Sequence, residues 1–274
     1  MKKIRESIEV GGRELVIESG EIAKQASGSC VVRYGDTVVF VAVTSSKGLE
    51  EDRGFFPMSV DYREKFYASG RIPGGFFKRE ARPSEREILA SRLTDRPLRP
   101  LFPEGFNNET RVDITVMSYD EENEPDVLSA LGASYALMIS DIPFNGPIAS
   151  IRVGRINGEF LINPSVEQLL ESDMELILSG SDKSIVMVEG KCDFVSEDDV
   201  LEAIKFGHEE IKRLVKFQHE LVSMHKVVKR DLVIKEKDDE LIASIDRLIK
   251  DKISSFNEPK TKDERYSQID SFIS

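Results

Sequence analysis

Residues 71–102 read RIPGGFFKREARPSEREILASRLTDRPLRPLF. Eight basic side chains (Arg71, Lys78, Arg79, Arg82, Arg86, Arg92, Arg96, Arg99) stand against four acidic ones (Glu80, Glu85, Glu87, Asp95), a local net charge of +4. The whole chain of 274 residues carries −12, so everything outside this stretch carries −16. The stretch has two halves. In the first, Pro73 and two glycines lead into Phe76-Phe77 and then Lys78-Arg79. Glycines let a loop project, aromatic rings offer stacking to unpaired bases, and adjacent cations neutralise a phosphate backbone. The same residues also describe a phenylalanine pair that anchors a loop to the core, and composition leaves both readings open. In the second half, Ser84 and Glu87 have the spacing of a capping box after Pro83, which predicts a helix that Pro97 ends near Arg96. At about 100° per residue, Leu89 and Leu93 lie about 40° apart, with Arg92 and Arg96 within about 60° on the other side of Leu89. The predicted apolar face therefore includes both arginines, and Glu87, Ser91, Thr94 and Asp95 are expected to face solvent. A cation turned toward a core or cleft needs a counter-charge. For Arg92 and Arg96 either a carboxylate such as Glu85, making a structural ion pair, or a phosphate supplies it.

Upstream, SIEVGGRELVIES alternates around Gly11-Gly12 and CVVRYGDTVVFVAV has two β-branched runs around Gly35-Asp36, which predicts two hairpins. Downstream, RVDITVMSY places Val112, Ile114 and Val116 on one side, as a half-buried strand requires. After the acidic loop DEENE, Pro125 suits the first turn of a helix with Val127, Leu128, Leu131, Tyr135 and Met138 at helical spacing. A hairpin turning at Asn157-Gly158 follows, then a strand pair in MELILSG and SIVMVEG. From Ser196, with Asp199 three residues on, a helix of nearly thirty residues is expected, and KVVKRDLVIKEKDDE then has the mixed charge of a linker. Beyond it, Leu241, Ile245, Leu248, Ile249 and Ile253 have helical spacing. The pattern predicts an α+β fold, mixed sheets with packed helices over residues 1–230, and a small, incomplete all-α part over 231–274.

The chain is 40% hydrophobic and 32% charged, with no apolar run near the roughly 18 residues that span a bilayer. MKKIRESIEV breaks into charge before an apolar signal core forms, so a cytoplasmic protein with no membrane association is expected. Cys30 and Cys192 are far apart, outside any metal-ligand spacing, and are read as reduced, buried thiols. There is no phosphate-binding P-loop, nucleophile elbow or HExxH motif. His208, His219 and His225 are assigned to the long helix in surface or packing roles. The run Asp120, Glu121, Glu122, Glu124 and Asp126 lacks a cation-binding spacing and is read as a solvated loop.

A longer stretch, FFPMSVDYREKFYASGRIPGGFFKREARPSEREILASRLTDRPLRPLFPEGF, resembles the N-terminal catalytic-core segment of bacterial polynucleotide phosphorylases. PDVLSALGASYALMISDIPFNGPIASIRVGRINGEF and SEDDVLEAIKFGHEEI continue the likeness in order, so that it spans essentially the whole chain. The resemblance implies a first RNase PH-like domain followed by the start of a helical linker domain. It also implies a homotrimeric ring that carries out processive 3′→5′ phosphorolysis of single-stranded RNA in mRNA turnover, with inorganic phosphate as co-substrate and Mg²⁺ as cofactor, and other RNA-degradation proteins as partners. The family's Phe-Phe-Arg-Arg loop corresponds to Phe76, Phe77, Lys78 and Arg79, lysine keeping the charge but losing the planar fork. RNA contact extends by the same resemblance to Arg82. The family holds phosphate and metal in a second RNase PH-like domain, so the resemblance identifies this chain as the N-terminal part of a larger enzyme, with no catalytic residue and no metal ligand of its own. Two other readings are a free-standing, non-catalytic RNA-binding or ring-capping RNase PH-like subunit, and a basic face that binds another anion such as a nucleotide effector.

Overall fold

The computed structural model describes residues 2–48, 54–74, 80, 82–232, 239–250 and 258–273. The chain divides into two compact units, Met1–Val233 and Ile234–Ser274. The larger unit holds two sheets. Strands β1 (Ile4–Val10), β2 (Arg13–Ser19), β3 (Gly28–Tyr34), β4 (Thr37–Ser45), β5 (Met58–Glu64) and β6 (Thr110–Ser118) form one sheet in the order β1-β2-β3-β4-β6-β5. Every pairing in it is antiparallel except the outermost, β5 with β6. Strands β7 (Ala149–Ile156), β8 (Glu159–Ile162), β9 (Met174–Gly180) and β10 (Ile185–Cys192) form the second, in the order β10-β9-β7-β8. The β7–β8 hairpin turns at Asn157 (φ 52°) and Gly158 (φ 83°), the left-handed pair that an Asn-Gly turn supplies.

Helix α2 (Asp126–Met138) lies between the sheets, against β3 and β4 on one side and β7 on the other. It is buried continuously from Val127 to Leu137, so it is a core helix and not the one-sided helix that its Val127, Leu128, Leu131, Tyr135 spacing suggests. Such close layering needs small residues at the contacts. A Cβ on Gly28 would stand 2.1 Å from the Ala136 carbonyl oxygen, so only glycine lets β3 touch α2 there. Helix α1 (Glu85–Leu98) packs on β5 and α2. The short α3 (Val166–Glu171) is opened by a second capping box, Ser165 and Gln168, and α4 (Glu197–Ser223) covers the outer face of the second sheet along β7 and β9.

Several expectations are corrected. Pro97 lies inside α1, which runs on to Leu98 and into a 3₁₀ turn over Arg99–Leu101. His225 stands beyond the end of α4, where its Nε2 lies 3.2 Å from both Ser19 Oγ and Tyr135 OH. The start of the expected linker is docked: Lys229 Nζ donates to the carbonyls of Leu137 (2.8 Å) and Ser140 (3.0 Å) at the end of α2, and Arg230 pairs with Asp141. Cys30 is buried and donates to the Gly132 carbonyl, but Cys192 is exposed, because β10 is an edge strand.

The smaller unit contains α5 (Asp239–Ile249) and α6 (Lys262–Ile273). Leu241, Ile245, Leu248 and Ile249 fall on α5 as their spacing predicts, and Ile253 lies outside the described residues. Among the described residues, no helix is long and apolar enough to cross a membrane.

Candidate functional site

The basic stretch follows β5 and a 3₁₀ turn over Phe66–Ser69 that Gly70 ends in a left-handed conformation, φ 67°. Phe76, Phe77, Lys78 and Arg79 lie outside the described residues. The residues on either side of them are placed, and both ends meet at Phe66. The Arg71 amide donates to the Phe66 carbonyl at 2.9 Å, and the Phe66 amide donates to Glu80 Oε1 at 2.7 Å. Glu80 Oε2 also takes Lys65 Nζ at 3.0 Å. The Phe66 amide, with Lys65 beside it, holds the Glu80 carboxyl below the usual carboxylate range. Phe66, Tyr67 and Ile72 expose their apolar side chains around this base. Arg71 faces Glu121 at 3.7 Å, and Arg82 is exposed with no ion pair among the described residues.

Helix α1 begins as its sequence predicts. Ser84 Oγ accepts the Glu87 amide and Glu87 Oε2 accepts the Ser84 amide at 2.6 Å. Its orientation is the reverse of the expected one. Ala90, Thr94, Pro97 and Leu98 are buried together with Glu87, whereas Ile88, Leu89, Arg92 and Arg96 are exposed. The cause is β5. As the edge of its sheet it leaves alternate amides unpaired, and α1 supplies their acceptors: Glu64 N–H donates to Glu87 Oε1 at 2.9 Å and Tyr62 N–H to Ser91 Oγ at 3.2 Å. Small Ala90 and Thr94 then let the helix sit close, and Leu89 turns outward. Arg96 therefore makes an exposed ion pair, 2.7 Å from Glu189 on β10, and exposed Arg92 makes none among the described residues.

The remaining arginines of the stretch have structural partners that sequence spacing does not reveal. Arg99 chelates Asp95 and donates to the carbonyls of Phe56 and Met58, fastening the end of α1 to the start of β5. Arg86 bridges Glu64 and Glu124 above the Tyr119 ring. Burial nonetheless pushes the Glu124 carboxyl above the usual carboxylate range, with Arg86 opposing it. Arg152, buried on β7, takes Asp126 at 2.6 Å and Glu175 at 3.0 Å. The acidic loop is likewise a scaffold and not simply solvated. Asp120 accepts from the amides of Asp36, Thr37, Glu122 and Asn123, from the Thr37 hydroxyl and from the Asn123 side chain, which hold it ionised below the usual range against its burial.

These two sheets and the basic stretch match known proteins over most of the chain. Residues 11–143 match the model of the 3′ exoribonuclease family, domain 1, and residues 146–210 that of domain 2 of the same family. The chain belongs to the 3′ exoribonuclease family. It is 49% identical over 263 residues to the polyribonucleotide nucleotidyltransferase of Geotalea uraniireducens, covering 96% of this chain and 38% of that protein. To the enzyme of the same name from Heliobacterium modesticaldum it is 50% identical over 247 residues, 90% of this chain and 35% of that one. The Geobacillus kaustophilus protein is 53% identical over 242 residues, 88% and 33%. The chain thus spans about a third of the length of the curated relatives it matches, and corresponds to the N-terminal, RNase PH-like part of such an enzyme. The crystal structure of rice (Oryza sativa) Rrp46 shares the fold, with TM-score 0.63 at 17% identity over 78% of this chain and 96% of that one.

Proposed function

We propose that this chain is the RNA-guiding and ring-forming part of a phosphate-dependent 3′→5′ exoribonuclease that releases nucleoside diphosphates from single-stranded RNA during mRNA turnover. The observation that carries the reading is the basic, aromatic sequence Phe76–Arg79, whose flanks are tied to one residue, Phe66, and which exposed Arg82 and Arg92 follow along the chain. Phe76 and Phe77 stack on successive bases, each stack contributing about 1–3 kcal/mol, and Lys78, Arg79 and Arg82 take the backbone phosphates. The Glu80 clamp fixes where the stretch leaves the fold, so that these contacts form with less ordering on binding. Arg92 offers a further phosphate contact on the exposed face of α1. Arg96, paired with Glu189, serves the fold.

The reaction itself belongs to residues outside this chain in a homotrimeric, cytoplasmic enzyme that works beside other RNA-degradation proteins. Mg²⁺ would supply the positive charge that neutralises the scissile phosphodiester, and inorganic phosphate would be the attacking co-substrate, its P–O bond forming as the bond to the 3′ oxygen of the shortened RNA breaks. The described residues do not suit a Mg²⁺ site. The nearest gathering of carboxylates, Glu124, Asp126 and Glu175, is engaged by Arg86 and Arg152, and no group of three or more possible metal ligands occurs among the described residues.

Incubating the purified chain with poly(A) and phosphate tests the assignment: little nucleoside diphosphate is expected, and release at an enzymatic rate overturns it. In parallel, the chain should bind single-stranded RNA in preference to duplex, and Phe77→Ala with Arg79→Ala should remove that binding. Unchanged RNA affinity in the double variant would refute the loop assignment.

A further inference from the structure

A concavity of the first unit lies apart from the basic stretch. It is a groove of about 760 Å³, a size typical of binding clefts, running along β8 between α3, the Gly11-Gly12 turn and the exposed side of α4. Its apolar floor is Phe160, Leu161 and Ile162 with Phe206 of α4, whose ring lies 5.7 Å from that of Phe160. Its rim carries Glu122, Glu167 and Glu171, all exposed, and none forms an ion pair among the described residues. The cation in the lining, Arg13, is turned inward to Asn123, the Asn163 carbonyl and the Tyr34 ring.

The backbone of β8 adds a second feature. β8 is an edge strand, hydrogen-bonded to β7 alone. Its two-residue turn closes on Ile156 and Glu159, and the Asn163 amide bonds the Arg152 carbonyl at 2.7 Å. Hydrogen-bonded pairs therefore fall at 159, 161 and 163, and the amides and carbonyls of Phe160 and Ile162 point outward into the groove. The Gly11 turn closes over the Ile162 carbonyl, because a Cβ on Gly11 would stand 2.3 Å from it. The outward N–H and C=O of Phe160 have no backbone partner among the described residues. Edge strands in soluble proteins are commonly blunted by lysine or proline. Glu159–Ile162 has neither, and carries apolar side chains instead.

We propose that the outer edge of β8 is a docking strand for an extended, basic peptide segment of a partner protein. The segment would pair with Phe160, lay alternate apolar side chains against Phe160, Leu161 and Phe206, and reach the rim carboxylates with Lys or Arg. The acidic rim gives the surface its sign: it attracts cations and repels a nucleic-acid backbone. The docking strand is independent of the RNA-guiding assignment.

The test uses the 274-residue chain and a labelled eight-residue peptide of alternating valine and lysine, followed by fluorescence anisotropy. Binding should exceed that of the valine–glutamate counterpart at least tenfold. It should fall at least tenfold in the Glu167→Lys, Glu171→Lys double variant, and not in Glu85→Lys, Asp182→Lys, a control of equal charge change on other surfaces. N-methylation of alternate peptide amides should remove binding in one of the two registers, as strand pairing requires. Equal losses in the two double variants would show attraction to net charge alone and would overturn the proposal, as would indifference to N-methylation in both registers. Displacement of the peptide by oligo(A), with RNA affinity raised by Glu167→Lys, Glu171→Lys and not by Glu85→Lys, Asp182→Lys, would make the groove a nucleic-acid surface and overturn it too.

Discussion

Glu80 shows how one side chain acts on its neighbours. Its carboxylate holds the downstream end of the basic stretch at Phe66, whose carbonyl takes the Arg71 amide at the upstream end, so removing it frees one exit of that stretch without touching the core. Glu80→Ala is expected to weaken single-stranded RNA binding several-fold with little change in melting temperature, as titration and thermal unfolding of one sample would show. Its pKa is held down in the fold, so the clamp is fully present above the ordinary carboxylate range and is lost as pH falls through the lowered value. Lys229 titrates the other way. Burial against the end of α2 brings its ammonium down to about 8, so the folded state resists its charge. Below that pH the penalty is complete, and between about 8 and 10.5 the unfolded chain holds more protons, so stability rises with pH. The gain between pH 7.5 and 9.5 should be on the order of 1 kcal/mol after allowance for partial exposure, about 2–4 °C, and should be absent in Lys229→Gln. The Ser84–Glu87 box is legible in the sequence, because its two residues are only three apart. The second bond of Glu87, to Glu64, is not legible there, because the residues are 23 apart and only the fold brings them together.

Among the elements, hairpins are the most readable, since Gly11-Gly12, Gly35-Asp36 and Asn157-Gly158 carry the backbone demands of their turns in the sequence. Strand β5 escapes sequence reading because its pairing with β6 is parallel and distant, and α3 because a six-residue helix has little periodicity, although its Ser165–Gln168 capping box is available as a signal. The face of α1 departs from expectation for a more general reason. Hydrophobicity nominates Leu89 and Leu93, but the amides of β5 and the small size of Ala90 and Thr94 decide which side is buried. Glu87→Ala should therefore destabilise the chain by about 1–3 kcal/mol, as orphaned amides cost, whereas Leu89→Ala should stay within about 0.5 kcal/mol. Denaturant unfolding of the two variants distinguishes these outcomes. Gly28→Ala forces β3 away from the Ala136 carbonyl and should cost about 1–3 kcal/mol in the same measurement.

At the scale of the molecule, a chain of net charge −12 carries one stretch of local charge +4. If Lys78, Arg79 and Arg82 each release a counterion, log affinity for single-stranded RNA should fall against log salt with a slope of about −2, and Arg82→Ala should reduce that slope by about 0.7. A salt titration of both proteins gives these numbers. The strand order is not readable from pattern, because register depends on contacts between residues far apart in the chain, and the family resemblance supplies what periodicity cannot. The four sheet edges are also treated differently. At β5 the edge is closed by the polar side of α1, and this bears on how the gene can drift. Mutations at Glu87 or Ser91 expose unpaired amides and are purged with the misfolded product, while those at Leu89 are tolerated. A comparison of descendants would find Glu87 and Ser91 held as firmly as the arginines around them, for a reason unconnected with RNA.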